Sequence, residues 1–222
     1  MKVTWLGQAG LLFQTESTTI LVDPYFSDSA ASVACHRKMP VAPSVWEIKP
    51  DLCLFTHDHI DHFDPETAGH FVNKNTAVTV LSPASVWEKI RTYGGENNYV
   101  RVAPRVIWSH GDVEIRVVPA VHSDPLAVGF VIQHQGKLYY ITGDTLYSID
   151  VACEIPYPVD VVFLPINGKG NNMNAVDAAK FASEIGAKLA VPVHFGMLDD
   201  IDPCCFTYEK VKIPELYKEM LL

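Results

Sequence analysis

No stretch of this sequence holds the roughly eighteen consecutive apolar residues that a helix needs to cross a bilayer, so no transmembrane span is expected. No export leader is expected either. Met1-Lys2-Val3-Thr4-Trp5-Leu6 enters a strand-like pattern at once, without the apolar centre and cleavage site of a signal peptide. Cysteine is sparse: Cys35, Cys53, Cys153, Cys204 and Cys205 form an odd set with no C-x-x-C spacing. That pattern excludes a disulfide framework and makes a reducing cytoplasm the expected location. Basic residues are also short, with 17 Lys and Arg against 26 Asp and Glu, a formal net charge of −9. Such a balance disfavours non-specific binding to nucleic acid or an anionic membrane, so the expected partner is a small molecule. Association of identical copies stays open. What the chain has in plenty is apolar content: 48% of its 222 residues are hydrophobic, which suits a single domain over residues 1–222.

The densest chemistry lies in Thr56-His57-Asp58-His59-Ile60-Asp61-His62. Before it runs the short apolar stretch Leu52-Cys53-Leu54-Phe55, which reads as a buried strand. After it comes Asp64-Pro65-Glu66, a cap, an N1 proline and an acidic first turn that open a helix. The cluster therefore occupies a strand-to-helix loop. In extended chain His57 and His59 point the same way, as one side of a metal cage would require. The plain alternative is a solvated histidine-rich loop.

Along the chain, strands are expected at 2–6, 9–13, 20–22, 52–55, 78–81, 99–102, 106–109, 113–118, 128–133, 138–142, 161–164 and 189–193. Helices are expected at 64–73, 84–93 and 174–185, with a short one from Pro214, and residues 25–50 read as irregular. Gly10 to Asp23 echoes Gly129 to Asp144, as a duplicated half or a chance likeness of two hairpins. Asp23, His57, His122, Asp144 and His194 each fall at or just past the end of an apolar strand. Loops at strand ends are where a rigid scaffold presents chemistry, so these imidazoles and carboxylates point to one shared site.

These residues resemble the metallo-β-lactamase-fold hydrolases, whose His-x-His-x-Asp-His loop is followed downstream by a His, an Asp and a His. The resemblance implies an α/β fold, a four-layer αββα sandwich. It implies two divalent cations roughly 3.5–4 Å apart, zinc first, with manganese or iron also suited to imidazole and carboxylate ligands. His57, His59 and His122 would hold one ion, Asp61, His62 and His194 the other, and Asp144 would bridge them. Asp23 would brace the metal loop, or else serve only as a turn residue before Pro24. Within the superfamily, Thr4 to Gly10, Leu21 to Tyr25, Thr56 to Phe63 and Pro192 to Gly196 resemble the L-ascorbate-6-phosphate lactonase branch.

The activity this implies is hydrolysis of a small anionic ester or lactone by a hydroxide shared between the ions, with Asp61 moving the proton. A phosphodiesterase for small or nucleotide-derived substrates is the alternative, and a non-catalytic metal-binding protein a further one. Asn167 and Lys169 are candidate substrate contacts, or part of a solvated loop before the next helix. Arg37 and Lys38 are an alternative anion contact, and Asn172 or Asn174 a candidate helix cap. His36, His70, His110 and His134 fit no motif position, and nothing in the sequence assigns Cys204-Cys205 a role.

Overall fold

The computed structural model describes residues 1–222. Its strands are β1 (Lys2–Gly7), β2 (Gly10–Gln14), β3 (Thr19–Val22), β4 (Leu52–Leu54), β5 (Thr79–Ser82), β6 (Asn98–Arg101), β7 (Ile107–His110), β8 (Val113–Pro119), β9 (Val128–His134), β10 (Lys137–Ile141), β11 (Val161–Pro165), β12 (Ala190–Val193) and β13 (Glu219–Met220). They form two sheets, in the orders β13-β1-β2-β3-β4-β5-β6 and β12-β11-β10-β9-β8-β7. From β1 to β5 the pairings run antiparallel, antiparallel, parallel, parallel. From β8 to β12 they repeat that series. Helix α1 (Pro65–Phe71) links β4 to β5. The remaining α-helices are α2 (Ala84–Ile90), α3 (Ile149–Glu154) and α4 (Ala175–Glu184), and α4 links β11 to β12 just as α1 links β4 to β5. The echo in the sequence thus falls on equivalent hairpins, β2 with β3 and β9 with β10.

Alternation of side chains sorts the layers. In β4, Leu52 and Leu54 join the main core between the sheets, while Cys53 faces the cluster under α1 and α2 that contains Phe71, Val86 and Ile90. In β10, Tyr139 meets Phe13 across the sandwich, and Tyr140 turns outward to Phe181 of α4. Both faces of each sheet are therefore covered, and the expected helix–sheet–sheet–helix order is found. Phe13 also packs T-shaped on Phe163 at 5.5 Å, a geometry worth about 1 kcal/mol beyond the area buried. No helix is long and apolar enough to cross a membrane.

Local chemistry sets the helix starts. Asp64 accepts from the N–H groups of Glu66 and Thr67, and Asn174 from those of Val176 and Asp177. Two elements differ from expectation. Helix α3, capped by Ser148, was not anticipated, because one short turn carries too little periodicity to read. The helix expected from Pro214 does not form. Tyr217 takes a left-handed φ of 61°, its N–H bonds Trp5 O, and Glu219–Met220 pairs with β1 instead. Long-range pairing there overrides a local start signal.

Candidate metal centre

Thr56 lies just past β4, and Asp23, fully buried, lies just past β3 beside it. Asp23 Oδ1 accepts the Thr56 N–H at 2.8 Å, and Oδ2 accepts the Thr56 hydroxyl at 2.5 Å and His62 Nδ1 at 2.9 Å. Since the hydroxyl donates to Asp23, its lone pair takes the proton of His57 Nδ1, 3.0 Å away. One carboxylate thereby fixes two tautomers and leaves both Nε2 lone pairs facing inward. Gly143 brings the other half close: at φ 61°, any Cβ there would lie 2.8 Å from the Thr56 Cβ. The next residue, Asp144, is delivered against His62.

The side chains gather into two groups: His57, His59, His122 and Asp144 in one, and Asp61, His62 and His194 in the other, with the ligand atoms of each within 4.8 Å of one another. His122 Nδ1 faces the Asn171 carbonyl at 3.2 Å, which turns His122 Nε2 to within 3.0 Å of His59 Nδ1. Asp144 reaches both groups: it clusters with His57, His59 and His122, while its Oδ1 lies 3.2 Å from His62 Nε2 and its Oδ2 3.3 Å from His194 Nε2 of the second group. His57 Nε2 is buried without a hydrogen-bond partner, and His62 Nε2 and Asp144 Oδ1 face each other in the interior without hydrogen-bond alignment. Converging acceptor atoms left unpaired in the interior are costly unless a cation sits among them, so the donor set fits divalent metal.

The two groups differ in charge. Burial holds the pKa of His57 and His122 below the ordinary histidine value, aided by neighbouring imidazoles. In the second group burial also opposes charging, but Asp144 and Asp61 outweigh it: His62 is raised well above its usual value and His194 to about 10. Asp61 and Asp144 are correspondingly depressed against the pull of burial by His62 and His194. Without a cation His57 and His122 are held neutral, whereas His62 and His194 hold protons against the carboxylates.

A cavity of about 320 Å³ opens over the groups, lined by His59, Asp61, Asp144 and His194 together with Gln8, Cys35, Asn167, Lys169 and Asn172. Asn167 and Lys169 thus lie at the cavity, and no ion-pair partner engages Lys169. Arg37 and Lys38 do not offer a free anion site. Arg37 donates to the carbonyls of Tyr25 and Met39, pinning the irregular segment, and Lys38 pairs with Asp200 at 2.5 Å. Asp58 turns away to Lys89 at 2.6 Å. His36 bonds Asp28, His70 the Trp46 carbonyl, and His134 Asp112, and these three with His110 lie outside both groups. Cys204 and Cys205 are exposed and free.

Four contributors were not read from the sequence as parts of the site. Asn172 donates to Asp144 Oδ2 at 2.8 Å, so Asn174 alone caps α4. Asn171 orients His122. Asp124 accepts the Asp58 N–H at 3.1 Å and the Ser85 hydroxyl at 2.6 Å, tying the loop of His57 and His59 to the loop of His122. Gln8 reaches Asp61 at 2.7 Å. The turn Gly7-Gln8 looked like a simple strand connection, and an amide two residues from a strand end carries no distinctive spacing.

The sandwich and its twin groups define the class: a metal-dependent hydrolase of αββα architecture. Residues 18–195 match the beta-lactamase superfamily domain, and the chain belongs to that family. It is similar to a UPF0173 metal-dependent hydrolase of Ligilactobacillus salivarius, 31% identical over 208 residues, 90% of this chain and 88% of that protein. A UPF0173 metal-dependent hydrolase of Methanopyrus kandleri is 29% identical over 215 residues, 91% of this chain and 87% of that protein. Among solved structures, a metallo hydrolase from Ignicoccus hospitalis shares the fold, with a TM-score of 0.77 at 20% identity over 99% of this chain and 97% of that one.

Proposed function

We propose that the chain is a two-cation hydrolase of small anionic esters or lactones, sugar lactones among them. His57, His59 and His122 would hold one ion, Asp61, His62 and His194 the second, and Asp144 both. The single observation that carries this reading is Asp144, which clusters with His57, His59 and His122 while its oxygens also face His62 and His194 of the other group. Nitrogen and oxygen ligands without thiolate suit zinc, and manganese or iron as well. Bound in pairs, such ions bring the pKa of water to about 7 and polarise the substrate oxygen under attack.

The chain's own residues supply the rest. Asp61 Oδ2 lies 3.2 Å from His194 Nε2, on the side of the second group. Its Oδ1 takes no hydrogen bond from the chain, and the residue lines the cavity. That free oxygen is placed to take the proton of the attacking water and return it to the leaving oxygen. Lys169 would meet an anionic substituent at the cavity mouth, and a cavity of about 320 Å³ favours a small substrate. Five free thiols support a reducing compartment.

The test is a panel assay of metal-loaded protein on sugar lactones, acyl lactones and a phosphodiester. Lactone turnover that disappears on chelation is expected. Phosphodiester turnover without lactone turnover would reverse the assignment.

A further inference from the structure

Gln8 is held unusually firmly for a turn residue. Its φ is 50°, its side chain is buried, and its carbonyl accepts from Trp5 Nε1 and from the His194 N–H, both at 2.9 Å. Its Nε2 donates to Asp61 Oδ2 at 2.7 Å, and because a carboxylate only accepts, this contact identifies which end of the amide is nitrogen. The same nitrogen stands 3.2 Å from Nδ1 and 3.0 Å from Nε2 of His194. Near-equal distances to the two nitrogens flanking Cε1 place it over the ring face, since in the ring plane it would collide with Cε1. The amide therefore steadies the imidazole without occupying its in-plane lone pair.

The topology gives this contact a meaning. In the second half, the connection between β8 and β9 carries His122 into the first group. In the first half, the equivalent connection between β1 and β2 carries Gln8 onto Asp61 and His194 of the second group. One connection brings an imidazole and the other an amide that holds its neighbours. We infer that Gln8 is the positioning residue of the second cation site, fixing Asp61 Oδ2 toward His62 and His194 and leaving Asp61 Oδ1 open to the cavity. The inference rests on the two-cation reading.

It is tested on the full chain with Gln8→Leu, which keeps the backbone contacts and side-chain bulk but has no donor, and Gln8→His, which restores an N–H at similar reach. Metal-free proteins are titrated with cobalt(II), followed by visible absorption, and ions are counted by elemental analysis. Gln8→Leu should bind one ion like the parent and the second about 10–100-fold more weakly, with the second set of bands weakened, and Gln8→His should recover most of the loss. Two ions bound by Gln8→Leu with parental affinity and spectrum would overturn the inference. So would equal loss of both ions together with a lower melting temperature of the metal-free variant. A parent protein that takes up fewer than two ions would instead sink the two-cation reading itself.

Discussion

The loop after β4 and the loop after β11 occupy the same place in two topologically equivalent halves, yet their chemistry is opposite. The first, from Thr56 to Asp64, is mostly buried and supplies four of the seven side chains in the two groups. The second, Asn167 to Asn172, is made of amides and glycines with one lysine. It supplies Asn171 O to His122 and Asn172 Nδ2 to Asp144. One loop provides the groups that would touch a cation; its counterpart aims groups presented by neighbouring strands. Division of labour lets the scaffold concentrate four converging side chains in one loop while the other orients His122 and Asp144 from neighbouring strand ends.

The sharpest test of that division is Asp144→Ala, because Asp144 faces both groups. Both ions should be lost and turnover should fall by about 10⁴-fold or more, the several kcal/mol a catalytic cation supplies. Loss of a single ion, counted by elemental analysis, would break the shared-carboxylate picture. Asp61→Asn, in the first loop, should cost turnover about 10²-fold or more while metal content falls much less. Equal losses would reduce Asp61 to simple ligation. Asn172→Ala, in the second loop, should weaken metal binding by about 10–100-fold with the fold retained, as read by chelator competition and circular dichroism. Lys169→Ala should raise KM for an anionic substrate about two- to fivefold with kcat unchanged, since an exposed charge contributes only about 0.2–1 kcal/mol.

The smallest expected effect is on stability and separates the two groups by pH. In metal-free protein, His194 is raised to about 10 and His62 well above its usual value by the carboxylates that outweigh burial. A raised folded pKa stabilises fully below the unfolded histidine value of about 6.5 and ceases to do so as pH climbs through the folded one. His57 and His122, held low, are neutral in the folded protein over that range and add only a small opposite rise at about pH 6.5, as the unfolded imidazoles lose their protons. The melting temperature of chelated protein should therefore decline from about pH 6.5 toward pH 10, a slope owed to the second group. A flat profile would show that His62 and His194 hold no proton between the carboxylates.

The sequence exposed those parts of the site that obey a periodicity or a spacing. His57 to His62 is contiguous, and Asp23, His122, Asp144 and His194 each follow a run apolar enough to read as buried strand. Their convergence was legible because strand ends are legible. The residues that aim them were not. Asn171 and Asn172 sit among glycines in a loop whose left-handed turns at Gly168, Gly170 and Asn171 no pattern announces. Asp124 works through a backbone N–H of a distant loop, a contact invisible without the fold. The tail misled for a related reason: Pro214-Glu215 signals a helix locally, but the chain pairs with the open edge of β1 instead.

That tail does more than finish the chain. Val211 bridges Ala190 of β12, and Glu219–Met220 pairs with Thr4 and Val3 of β1, so one segment seals the rim strand of both sheets. Stripped of it, β1 and β12 would present unsatisfied amides side by side, an invitation to intermolecular zippering and precipitation. The same two strands lead directly to Gln8 and His194, so fraying would begin at the corner where the reactive pocket is assembled.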